Sequence, residues 1–76
     1  MDIQKFLKPG KDIVIEMSDG IDYLIDDRAA EAIQKDDEKI DLMRLYDHKV
    51  FSIDRKEIES TLLKSGVDDY LDKRTE

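Results

Sequence analysis

The chain has 76 residues, with thirteen Lys and Arg against twenty Asp and Glu, a formal charge of −7 and 39% hydrophobic residues. That length suits one small domain rather than a two-domain enzyme, and no apolar run reaches the ~18–20 residues of a membrane span. The absence of Cys removes disulfides and thiolate zinc sites as staples, and the acidic balance argues against direct nucleic-acid binding, which needs a basic surface.

Residues 1–10 open the domain. Met1 to Lys11 contains no apolar stretch followed by a small-residue cleavage site, so it does not read as a secretory signal. Ile3, Phe6 and Leu7 lie at i, i+3, i+4, the spacing of one helix face, with Asp2 as its N-cap. Pro9-Gly10 stops that short helix.

Residues 11–38 read as a first hairpin–helix unit. Asp12 to Met17 and Ile21 to Asp26 are strand-like runs joined by Ser18-Asp19-Gly20, a strong hairpin signal. Ile13, Ile15 and Met17 share one strand face, and Ile21, Tyr23 and Ile25 share a face on its neighbour. Asp26-Asp27 then opens a helix carrying Ala29, Ala30, Ala32 and Ile33, because carboxylates suit a helix N-terminus. The polar stretch Lys35 to Glu38 ends it.

Residues 39–76 repeat the plan. Ile40 to Tyr46 and Val50 to Ile53 are the strands, and Asp47-His48-Lys49 is the turn. Asp54 with Glu57 makes a pattern like a capping box, ahead of a helix from about Arg55 to Lys64 with Ile58, Leu62 and Leu63 as its stripe. Ser65-Gly66 ends that helix. Val67, Tyr70 and Leu71 fit one more short helix before a polar, frayed tail. A shift of 28 residues lays Ile15 on Met43, Tyr23 on Phe51 and Asp26 on Asp54. Either duplication or the ordinary spacing of two ββα units accounts for that match. The expected fold is a single α+β domain over 1–76, two-layered, in α-ββα-ββα order, with antiparallel hairpins packed against helices.

Residues suited to catalysis or metal binding are sparse. His48, the only histidine, falls in a turn without an evident orienting partner. Ser18, Ser52, Ser60, Ser65, Thr61 and Thr75 occupy no strained nucleophile elbow, and Gly10, Gly20 and Gly66 are isolated. The acidic clusters lack the alternating spacing of a calcium loop. The sequence therefore predicts no enzyme activity, no metal and no cofactor.

Charge is uneven. Residues 12–38 hold ten carboxylates against Arg28 and Lys35, a net −8, while the remainder sums to +1. Strand alternation turns Asp12, Glu16, Asp22 and Asp26 outward if Ile13, Ile15, Tyr23 and Ile25 turn inward. The resulting negative field would steer basic partners and repel polyanions, or would only keep the chain soluble. Val14, Leu24, Leu42, Tyr46 and Val50 fall on outward positions as well. They form an exposed apolar strip unless the terminal helices, with Phe6, Leu7, Tyr70 and Leu71, fold over it.

These features predict a small non-enzymatic module that binds another, basic protein. Asp22, Asp26, Asp27, Glu31, Asp36, Asp37 and Glu38 would supply charge, and Val14, Leu24 and Tyr46 apolar anchoring. In make-up the chain resembles small acidic inhibitors of the phage and mobile-element type, anti-CRISPR proteins among them. The likeness lies in composition and rests on no shared motif. It implies an inhibitor or adaptor acting on a nucleic-acid-handling protein. The alternative is an assembly subunit, such as a homodimer, pairing through sheet edges or the apolar strip. The expected location is cytoplasmic, with no membrane contact.

Overall fold

The computed structural model describes residues 3–73. A 3-10 turn at Ile3–Phe6 leads into β1 (Lys11–Glu16), β2 (Asp22–Ile25), α1 (Asp27–Gln34), β3 (Lys39–Arg44), β4 (Val50–Asp54), α2 (Arg55–Ser65) and β5 (Asp69–Asp72). The result is a small α+β fold. One five-stranded antiparallel sheet, in the order β4-β3-β2-β1-β5, accompanies two α-helices. The Asp2 cap and the tail beyond Lys73 expected from sequence lie outside the described residues.

The first hairpin forms as its sequence predicts. Ile13 opposes Ile25 and Ile15 opposes Tyr23. Gly20 takes a positive φ of 78°, which an L side chain rarely adopts. The Asp19 carboxylate accepts from the Ile21 N–H at 2.9 Å and the Tyr23 hydroxyl at 3.2 Å, tying the turn to the strand behind it. Asp26 then caps α1, its carboxylate accepting from the Ala29 N–H at 2.9 Å. That bond satisfies one of the orphan donors of the first helical turn.

The second half departs from expectation in three places. Leu42, not Met43, opposes Phe51, and Met43 opposes Val50. The 28-residue superposition, which put Met43 beside Ile15 in role, is therefore out of register by one residue. A slip of one in a strand exchanges its faces. Asp54 is the N-cap of α2 but makes no side-chain cap bond; its carboxylate pairs instead with Lys39 across the hairpin. The expected capping box does not form, and the Asp54 carboxylate is turned to the cross-strand lysine.

The third departure is at the C-terminus, where the expected helix around Val67 to Leu71 is strand β5. It pairs with β1, Ile13 against Tyr70 and Asp12 against Leu71. A segment of four or five residues after Gly66 is too short to nucleate a helix alone, whereas the β1 edge offers ready backbone partners. Asp68 N–H donates to the Val14 carbonyl at 2.9 Å and Lys73 N–H to the Gly10 carbonyl at 3.0 Å. Lys11 pairs with Asp72 alongside.

Alternation sorts the sheet residues into two sets. Ile13, Ile15, Tyr23, Ile25, Ile40 and Leu42 join Ala29, Ala30 and Ile33 of α1, Ile58 and Leu62 of α2, and Ile3 in one buried cluster. Phe6 and Tyr70 pack against that same cluster, and the Tyr70 hydroxyl donates to the Phe6 carbonyl at 2.8 Å. Among the described residues, Ile3, Phe6 and Tyr70 thus sit with the core cluster and not over the other set of strand positions. Among the described residues, no helix is long and apolar enough to cross a membrane.

Candidate partner-binding face

The second set of strand positions makes a continuous surface. Register places Val14 beside Leu24, Leu24 beside Met43, and Met43 beside Val50, an apolar row crossing four strands. Leu71 lies next to Asp12 on β5. Around the row, the same parity carries Asp12 and Glu16 of β1, Asp22 of β2, Asp41 and Asp54 of β3 and β4, and Asp69 of β5. Asp26 follows β2 on that side by alternation. Among the described residues, the only cation at a strand position of this face is Lys39, already paired with Asp54.

Exposure along the row is graded. Val14 is only 3% exposed, lying between Leu24 and Asp69 in the register. Leu24 and Met43 are half-buried. Val50 and Leu71 are 62% and 41% exposed. The expected strip thus exists with different members. Leu42 is fully buried in the core cluster, and Tyr46, 71% exposed, belongs to the β3–β4 turn rather than a strand. Met43 and Leu71 take their places.

On the row is an open hollow of about 520 Å³ lined by Leu24 and Met43 together with Asp12, Asp26, Asp27, Arg28 and Lys73. Lys73 reaches the Asp27 carboxylate at 2.7 Å, and that hydrogen bond raises the lysine pKa. Burial pushes the Asp12 carboxyl up, helped by the charges of Asp26 and Asp27 and opposed by Lys73. Burial first, and its acidic neighbours second, thus disfavour the charged form of Asp12.

The acidic residues expected to act together divide into two groups. Asp22, Asp26 and Asp27 lie on or beside this face. Glu31 is on α1 and pairs with Lys35 at 2.9 Å. Asp36, Asp37 and Glu38 occupy the α1–β3 loop, where Asp36 approaches Arg55 at 3.8 Å. Asp41, Asp54 and Asp69 join the face but were not singled out from sequence. Their signal lay in the strand register, which depends on the placement of Leu42 and Met43.

At the far end of β3, Arg44 grips both oxygens of Asp47, its Nε donating at 3.0 Å and its Nη2 to the other oxygen. This holds the Asp47 carboxyl down to about 2. The guanidinium also stands 4.5 Å from the ring centres of both Tyr46 and Phe51. His48 is exposed beside this turn with φ 61°. Ser18, Ser60, Thr61 and Ser65 line a separate depression between α2 and the first hairpin, with Glu16 and Glu57. Among the described residues, no three His, Asp or Glu side chains converge to hold a metal ion. Compared with protein-family models, curated proteins and solved structures, the chain matches none.

Proposed function

We propose that the chain is a non-enzymatic binding module whose helix-free sheet face docks a basic protein. In this view the molecule is two-layered, with helices on one side of the sheet and a recognition surface on the other. The observation that supports it most is the apolar row Leu24, Met43 and Val50, continued by the buried Val14, set among Asp12, Glu16, Asp22, Asp41 and Asp69. Apolar area supplies affinity, and the surrounding carboxylates speed encounter and select cationic partners. A nucleic-acid-handling protein, which presents a basic groove, is the partner class we favour. Occupying that groove would make the module an inhibitor or adaptor acting in the cytoplasm.

The test separates the face from net charge. Asp22→Lys with Asp41→Lys alters the face; Asp37→Lys with Glu57→Lys makes the same charge change away from it. Affinity capture from the source cell should lose its partner with the first pair and keep it with the second, and salt should elute the wild-type complex. Equal recovery with both pairs, or equal loss, would overturn the assignment.

A further inference from the structure

We propose that β4 is a self-pairing edge through which two copies of the chain join their sheets about a two-fold axis at Ser52. The backbone of β4 fixes which of its groups are spare. The Lys49 carbonyl accepts from the Arg44 N–H at 2.7 Å, and the Arg55 N–H donates to the Glu38 carbonyl at 2.9 Å. Odd-numbered residues of this segment therefore bond toward β3. Antiparallel alternation then turns the N–H and C=O groups of Val50 and Ser52, and the N–H of Asp54, away from the sheet. β4 ends the strand order, so among the described residues these groups face no strand of their own chain.

The edge complements itself. With Ser52 opposite Ser52 of a second copy, Val50 faces Asp54 and Phe51 faces Ile53. The two serines exchange both backbone bonds, and each Asp54 N–H meets a Val50 carbonyl. Phe51, 38% exposed, and half-buried Ile53 then cover one another on the helix-packed face. Lys49 would face Arg55, whose charge is already balanced by Glu59 at 2.9 Å. No Pro, Lys or bulge guards the run Val50-Phe51-Ser52-Ile53, the usual protections of an edge. The opposite edge differs. β5 carries Asp69 and Asp72 at its ends, with Asp68 before it, so a second β5 would meet like charge. The symmetric β4 pairing closes after two copies, as an isologous contact does.

So short an interface falls below the ~1,200 Å² of stable complexes, so association is weak. Light scattering should give the 8.9 kDa mass of one chain at about 10 µM and approach twice that mass near 1 mM, on the order expected for a small interface. Amide exchange on the same samples should slow at Ser52 and Asp54 as concentration rises, while Phe51 and Ile53 keep the protection β3 already gives them. Ser52→Pro removes the outward N–H together with the exposed hydroxyl's hydrogen bond to Asp41, so it should stay folded and monomeric, whereas Ser52→Ala, which removes only the hydroxyl bond, should still pair. Salt should strengthen this pairing by screening the acidic chains, whereas it weakens docking of a basic partner, so the two proposals fail independently. A single-chain mass throughout, concentration-independent exchange at Ser52, or new protection at Asp69–Asp72 instead would overturn it.

Discussion

Asp47 and Asp12 are pushed in opposite directions by their neighbours. Asp47, gripped by Arg44, titrates near 2, below its unfolded range, so its contribution is complete above about pH 4 and is lost as pH falls toward 2. The stability gap between the wild type and Asp47→Asn should therefore close on acidification between those limits. A gap that stays constant in urea titrations would contradict the pair. Asp12 has the reverse sign: its carboxyl is raised by burial and by Asp26 and Asp27, so ionising it opposes folding as pH rises through its folded pKa. Asp12→Asn should raise the urea midpoint at pH 7 and lose that advantage in acid. A lower midpoint at pH 7 would mean that attraction to Lys73 outweighs the crowding.

At the level of elements, the first hairpin and α1 were legible because each local signal agreed. Ile13, Ile15, Tyr23 and Ile25 alternate cleanly, Asp19-Gly20 fits the turn, and Asp26 caps the helix. The run from Ile40 to Leu45 was ambiguous, since Leu42 and Met43 are adjacent apolar residues and either can face inward. Packing decides it, with Leu42 fully buried and Met43 only half so. Leu42→Ala should cost about 2–5 kcal/mol, and Met43→Ala about 1 kcal/mol or less, by chemical denaturation. Reversed costs would restore the one-residue-shifted register. β5 was illegible for another reason. Val67, Tyr70 and Leu71 match helical spacing, but their partner is β1, more than fifty residues earlier in the chain, and local periodicity carries no record of that pairing.

Across the whole molecule, the sheet converts a sequence bias into a spatial one. Acidic residues four apart, Asp12 and Glu16 on β1 and Asp22 and Asp26 along and just after β2, come to one side, and β3, β4 and β5 add Asp41, Asp54 and Asp69 there. Acidity was readable from composition, and part of the face from alternation; its full outline needed the strand order. Glu31 and the Asp36–Glu38 loop, prominent in the sequence, lie with α1 and its exit and are partly engaged by Lys35 and Arg55. The functional proposal thus rests on which surface meets the partner. Methyl-labelled chain, titrated with the captured partner protein, reads this directly. Leu24, Met43, Val50 and Leu71 should shift, while Leu7 and Leu63, exposed elsewhere, stay still. Shifts at Leu7 and Leu63 with the sheet-face methyls unmoved would contradict the account.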